Sequence, residues 1–267
     1  MRLRRTAGHV ALGLLGLACL FPIYWLYAAS LRAPGDVHDQ SPLPWPLSLE
    51  NYADAFAKND VAEMLLNTVT VAVLTALGQL LVALLAAYGM AAWRFRGHRL
   101  AHLMFVGIWL VPFQVTMLPN YALLARLGLL ETLAGVIVPM SCSALGVLLL
   151  REHLMNFPKE LLDAAKMDGR SSWATLWTVV VPVLRPVLAA LGVLLFINAW
   201  NEYFWPAMVL QRSNAVIQLG LRSFMGTEGN DWGPLMATAG LASLPVLALY
   251  LFLQRHIVDA FVRSGLR

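Results

Sequence analysis

Charge is scarce in this 267-residue chain: Asp, Glu, Lys and Arg together make up 13% of it, against about 25% in an average soluble protein. Apolar residues make up 59%, and the mean hydropathy is +0.67. That balance excludes an ordinary water-soluble domain. Cysteine is nearly absent too, with only Cys19 and Cys142, each inside an apolar stretch. They supply neither a disulfide framework nor a metal cluster, and both read as packing residues. No Gly-Lys-Ser or Gly-Lys-Thr loop occurs to cradle a phosphate, which excludes ATP hydrolysis by the usual route. Of the six histidines only His98 and His102 stand at i, i+4, with no carboxylate beside them, so no metal site is expected.

Six long stretches carry no charged side chain: residues 6–31, 64–93, 100–125, 132–150, 186–201 and 232–254. A hydrocarbon core about 30 Å thick takes roughly 20 residues of helix to cross. Four stretches are comfortably long and two are marginal. The alternating ten-residue pattern of a membrane barrel is missing, which leaves helices as the way to pair every backbone polar group in lipid. The expected fold is all-α: one six-span transmembrane helical bundle over residues 1–267. Its spans are predicted near 8–30, 65–92, 101–124, 132–150, 184–206 and 235–254, with a cytoplasmic segment at 151–183.

A sequence pI near 9.3 would suit a nucleic-acid binder, but the basic residues are spread along the chain, so no nucleic-acid partner is expected. Fourteen of the 19 lie in the amino terminus, the segments after the second and fourth stretches, and the tail; the three intervening loops hold five, and the first of these also carries six carboxylates. The positive-inside rule then puts both termini in the cytoplasm. Met1 to Arg5, a following apolar run and Ala28-Ala29-Ser30 also fit a cleaved secretory signal. The run is longer than the 7–15 residues of a signal core, however, and Pro22, Tyr24 and Trp25 near its outer end suit a retained span.

The outer loop at 31–63 is acidic and broken by Pro34, Pro42, Pro44 and Pro46, and Leu49 to Met64 can form a short interfacial helix. The largest cytoplasmic segment, between Arg151 and Arg185, is more patterned. Pro158 suits the first position of a helix, and Glu160 and Asp163 place negative charge near the positive end of its dipole. Gly169 is predicted to close that helix in the left-handed region. Ser171 or Ser172 then caps a second helix running to Val181, where Pro182 and Pro186 interrupt it. Ala164 and Ala165 permit close approach of another surface, so the segment reads as a docking element for a cytoplasmic partner. An interfacial helix lying on lipid headgroups is the other reading.

Asp163-Ala164-Ala165, three residues, Gly169, nine residues and then Val179, Val181 and Pro182 are similar in register to the signature of ATP-binding-cassette importer permeases. That signature has Glu-Ala-Ala, Gly, and Ile-x-Leu-Pro at the same spacing; Asp163 replaces Glu, and Val179 and Val181 replace Ile and Leu. Further resemblance, to the maltose-type second permease of carbohydrate uptake, covers nearly the whole chain. It runs through Phe21-Pro22, Asn51-Tyr52, Asn67-Thr68, Ala87-Tyr88, Arg94-Phe95-Arg96-Gly97, Val111-Pro112, Phe157 to Gly169, Trp200-Asn201-Glu202 and Gln254-Arg255. Trp200 to Pro206 and Glu228 to Pro234 look most like the glycerol-phosphate permeases.

The resemblance implies a pair of six-span permeases, two cytoplasmic ATPase subunits that use ATP and Mg, an extracytoplasmic substrate-binding protein, and no cofactor on this chain. It also implies that the helix around Ala164 is a coupling helix seated on an ATPase, with Glu160, Asp163, Ala164, Ala165, Asp168, Gly169 and Pro182 as the coupling residues. The family's Gly-Ala-Val-Lys-Gly-like tail corresponds here to Arg263-Ser264-Gly265-Leu266-Arg267, which lacks the terminal Gly.

In the fifth span Asn198, Asn201, Glu202 and Trp205 fall at i, i+3, i+4 and i+7, one face of a continuous helix. Two amides, a carboxylate and a ring are what a polyol needs, and a carboxylate near the membrane marks a pathway. The plainer reading is an outer aromatic belt of Trp200, Tyr203 and Trp205 with Glu202 among headgroups. Gln114 and Thr116, between Pro112 and Pro119, form a second polar candidate or a simple kink. The expected function is the translocation subunit of an ATP-driven importer for a sugar or sn-glycerol-3-phosphate-like solute in the inner membrane. The alternative is an ion-coupled secondary carrier, which calls for intramembrane acids and inverted repeats of broken helices; neither is visible in the sequence.

Overall fold

The computed structural model describes residues 2–93, 95–226 and 230–264. Arg94 of the basic turn, Glu228 in the 228–234 run and Gly265 to Arg267 of the tail lie outside the described residues. The chain is all-helical: among the described residues the only extended pairing is a single bridge between Met225 and Asn230. Among the described residues four helices are long and apolar enough to cross a membrane, namely Gly8–Ser30, Val61–Ala92, Ser172–Trp200 and Trp232–Phe252. Two bent pairs bring the number to six if each pair is one span. The chain divides into two compact units, one of Met1–Leu65 with Val216–Val246, the other of Leu66–Ala215 with Leu247–Arg267.

In the first unit, helix α1 (Arg2–Ser30) shows Leu12, Leu14, Leu15, Leu17 and Leu20 exposed around its circumference, as a helix solvated by lipid or by another subunit requires. Its carboxyl end leaves carbonyls without intrahelical donors. Asn51, fully buried in α2 (Glu50–Lys58), supplies them: its Nδ2–H donates to the Ser30 carbonyl at 3.2 Å and the Arg32 carbonyl at 2.7 Å. The Tyr52 hydroxyl meets Ser30 Oγ at 2.9 Å, which gives the Asn51-Tyr52 pair a structural role. A Cβ on Gly233, in α13 (Trp232–Ser264), would lie 2.0 Å from Asn51 Oδ1, so only glycine fits there. The loop at 31–63 folds locally: the Ser41 hydroxyl donates to Asp39 at 2.6 Å and holds that carboxyl below its usual range.

The loop helix is shorter than Leu49 to Met64. It ends at Lys58, and α3 (Val61–Ala92) starts four residues before the predicted boundary of 65. Asp60 Oδ1 accepts the Glu63 N–H at 3.2 Å, an Asp-x-x-Glu start that the charge-based boundary overlooked.

The second unit is built on the small side chains of α3. Ala76, Ala83 and Ala87 lie in a buried cluster with Val147, Leu150 and Leu154 of α7 (Ala144–Met155), and with Leu176, Val180, Leu184 and Leu191 further on. A Cβ on Gly146 would sit 3.3 Å from that of Ala83, so the two helices approach closely, as apolar helices do in a membrane.

Three predicted spans are revised. The third is not straight over 101–124: α4 (His98–Leu110) and α5 (Phe113–Leu127) meet at 93°. Pro112 forces Val111 out of the helical region, to φ −78 and ψ 119. The fourth is broken into α6 (Leu133–Met140) and α7 at an angle of 40°, with Ser143 capping α7 by accepting the Gly146 N–H at 3.1 Å. Gln79 Nε2–H donates to the Met140 carbonyl at this break, at 2.7 Å. The helix of the fifth begins at 172, not 184, as described below. Cys19 and Cys142, predicted to pack inside, are free and exposed on the chain.

Candidate coupling segment and substrate path

α8 (Lys159–Met167) forms where expected, one residue later than predicted because Pro158 is the N-cap and not the first helical residue. Its end is a full Schellman closure. Gly169 has φ +69; its N–H donates to the Lys166 carbonyl at 3.0 Å, and the Arg170 N–H donates to the Ala165 carbonyl at 3.1 Å. Ser171 Oγ then accepts the Ala174 N–H at 3.2 Å and starts α9 (Ser172–Thr175).

The helix does not stop at Val181. A π turn over Leu176–Val180 follows α9, and α10 (Val181–Trp200) continues, making Ser172–Trp200 one 29-residue helix. The π turn carries the Val181 N–H to the Leu176 carbonyl. Pro182 then sits in the first turn of α10, where a missing N–H is tolerated. Neither of the two prolines expected to interrupt the helix does so: Pro182 is absorbed by the change of register, and Pro186 lies inside α10.

The two alanines part company. Ala165 is 3% exposed and packs into the chain, whereas Ala164 is exposed together with Glu160, Asp163, Asp168 and Gly169; Met167 is 89% exposed. The outward face therefore offers one small residue, a long thioether and charges of both signs. Asp163 meets Lys166 at 3.3 Å and Asp168 meets Arg170 at 3.8 Å, both in exposed pairs whose contribution is small.

The proposed polar stripe does not form on one helix. α10 ends at Trp200, and a separate α11 covers Phe204–Val209. Asn198 is exposed on the last turn of α10. Asn201 is its C-cap and donates from Nδ2 back to the Ile197 carbonyl at 2.9 Å. Glu202 is half-buried, and its Oε1 accepts the Trp205 N–H at 3.1 Å. Trp205 is fully buried. Its indole N–H donates to the Gly135 carbonyl at 3.2 Å, and its ring meets Phe113 edge-on at 5.6 Å.

The i, i+3, i+4, i+7 spacing fails because asparagine and glutamate here cap backbone groups at an elbow, the usual alternative for short polar side chains. Trp205 is accordingly an anchor of the elbow. Gln114 is exposed on the first turn of α5, beside the Phe113 that touches Trp205, and Thr116 donates to the Phe113 carbonyl at 2.8 Å.

Three features were not singled out from the sequence. Gly135 accommodates the Leu129 carbonyl, which would lie 2.2 Å from a Cβ there. Thr132 caps α6 on the Gly135 N–H at 3.1 Å, a signal present in the Thr-x-x-Gly spacing. Tyr88 donates its hydroxyl to the Ser172 carbonyl at 3.0 Å, tying α3 to the start of the long helix.

Comparison with known proteins identifies the family and the fold. The lactose transport system permease protein LacG of Rhizobium radiobacter is 30% identical over 98% of this chain and 97% of its own length. The sn-glycerol-3-phosphate transport system permease protein UgpE of Rhizobium meliloti (strain 1021) is 31% identical, covering 96% and 95%. The arabinooligosaccharides transport system permease protein AraQ of Bacillus subtilis (strain 168) is 28% identical, covering 95% and 92%. The fold is similar to a chain in the crystal structure of a bacterial ABC transporter involved in the import of the acidic polysaccharide alginate. That likeness has a TM-score of 0.82 and 23% identity, over 95% of this chain and 96% of that one. Residues 79–263 match the family described as binding-protein-dependent transport system inner membrane component. With more than half of its length matched, the chain belongs to that family and is a membrane transport permease, not an enzyme.

Proposed function

We propose that the chain is the translocation subunit of an ATP-driven importer for a sugar or sn-glycerol-3-phosphate-like solute. It works with a second permease, two ATPase subunits that use ATP and Mg, and an extracytoplasmic substrate-binding protein. Both termini are cytoplasmic in this reading, which rests on the uneven distribution of basic residues. The observation that carries the coupling role is the α8 lever: a nine-residue helix closed by a left-handed glycine, with Ala164 and Met167 facing outward. ATP-driven closure of the ATPases would press on that face, and rocking of the spans would open the path alternately to each side. The relatives' solutes differ although their identities all fall at 28–31%, so the solute class is taken no further than a polyol or its phosphate.

Two broken helix pairs are present, although broken helices had been counted as a mark of ion-coupled carriers. The family match favours the ATP-driven reading over that alternative. Purification through a tag on this chain, followed by identification of the co-purifying subunits and uptake in ATP-loaded vesicles, tests the proposal. Binding-protein-dependent uptake supports it, and uptake driven by an ion gradient without ATPase subunits overturns it.

A further inference from the structure

The helix that leaves the Gly169 turn is longer than a membrane needs. Its 29 residues, Ser172–Trp200, rise about 43 Å, against a hydrocarbon core of about 30 Å. The last twenty of them hold one charge, Arg185, near their start, where its long stem can snorkel outward. The surplus length is therefore at the amino-terminal end, residues 172–180.

That end is dressed in a particular way. Trp177 is 39% exposed and Trp173 61% exposed, and their rings meet edge to face at 5.7 Å. Arg170 folds back along the same turns and donates from Nη1 to Thr178 Oγ1 at 2.8 Å. Thr178 closes the link by donating to the Ala174 carbonyl at 2.7 Å. Measured along the helix from Val181, Trp177 lies about 6 Å beyond the core-length segment, and the headgroup layer is about 5–7 Å deep on each side. Amphipathic rings and a pinned cation at this level are what that layer favours.

We infer that Trp177 sits in the headgroup layer of the bilayer, with Trp173 packed on its aqueous side and the Arg170 guanidinium, which also meets Asp168 at 3.8 Å, directed at lipid phosphate. A soluble subunit would have to displace headgroups to reach Trp177. The Gly169 turn and α8 then hang from a helix fixed in depth by lipid.

The inference rests on reading 172–200 as a membrane span, and the experiment separates the two. In the complete importer, with Cys19→Ala and Cys142→Ala, nitroxides are placed singly through Trp177→Cys, Trp173→Cys, Leu194→Cys and Glu160→Cys, and the protein is reconstituted in phospholipid vesicles. Collisions with oxygen and with a water-soluble nickel chelate report depth. The expected order from lipid to water is 194, 177, 173, 160, unchanged when the ATPase subunits are stripped off. Nickel access at 194 equal to that at 160 would refute the span itself. With 194 deep, the anchor is overturned if 177 is as nickel-accessible as 160, or if 173 and 177 are shielded from both reagents only while the ATPases are bound. Because cysteine at 177 can disturb folding, quenching by lipids brominated near the headgroup is compared in the parent and in Trp177→Tyr. The parent should lose the larger share of its emission; equal loss would overturn the inference.

Discussion

Replacing Gly169 tests whether the coupling segment depends on its backbone or merely on its bulk. The residue holds φ +69, and a Cβ built on it meets nothing within 4 Å. Substitution therefore adds no clash, and its cost is that of putting an L-residue in the left-handed region, about 1–2 kcal/mol. A penalty of that size lowers the population of the closed Schellman turn about 5–30-fold. Asparagine occupies the region more readily than alanine, and a β-branched residue scarcely at all.

The expected order of binding-protein-stimulated ATP hydrolysis in reconstituted vesicles is thus Gly169, then Gly169→Asn, Gly169→Ala and Gly169→Val, with basal hydrolysis and pairing of the permeases retained. Full stimulation in Gly169→Val would show that the turn does not couple. Equal loss in the asparagine and valine variants would show that something other than φ matters, since asparagine meets the same open space.

Four further outcomes are expected. Ala165→Asp forces a carboxyl into a packed site within the chain, at a cost of several kcal/mol without a partner, so thermal unfolding of the detergent-solubilised subunit should shift downward. Ala164→Asp, on the exposed face, should leave unfolding unchanged while weakening retention of the ATPases on an affinity column. Trp205→Phe keeps the ring against Phe113 but strips the Gly135 carbonyl of its indole donor; a loss of about 1–3 kcal/mol in stability with an unchanged uptake KM is expected, whereas a raised KM would return this residue to the solute path. A reporter active only outside the cytoplasm should be silent after Arg267 and active after Gln40, and the reverse pattern would invert the topology.

What the sequence revealed and what it hid have separable causes. Charge-free length located α1, α3 and α13 because lipid exposure depends on composition alone. The Gly169 turn was legible because a helix, a glycine and a serine each carry a local conformational preference that packing does not override. The breaks are different. Pro112 was visible, but the size of the bend was not, since proline fixes one φ and leaves the direction of the next helix to tertiary contacts. Before Ser141, Cys142 and Ser143 the visible Pro139 lies in the last turn of α6, but the break there also involves Gln79, far away in sequence, which pairs with the Met140 carbonyl. The stripe at 198–205 misled because periodicity presumes a continuous helix, and Asn201 and Glu202 had a second use as caps. The Ala164-Ala165 pair lies on α8, but one sequence cannot say which of two adjacent small residues faces inward.

The position of the proposed coupling segment between its two supports bears on how a push on α8 could travel. Before it, Leu154 and Phe157 are buried in the cluster formed with Ala83, Leu84 and Ala87 of α3; after it, Leu176 and Val180 enter the same cluster, and Leu162 of α8 itself leans on that cluster. Tyr88 adds a hydrogen bond from α3 to Ser172. Both ends are thus fastened to one densely packed body, and interiors packed at that density deform little. The glycine turn between these supports has both of its Schellman hydrogen bonds made, which limits how much of a force on the exposed face of α8 it can take up. In the proposed coupling role, displacement would pass to α3, α7 and the helix beginning at Ser172 together. Rigid-body rocking of the spans needs such transmission, and a segment joined through flexible linkers would not supply it.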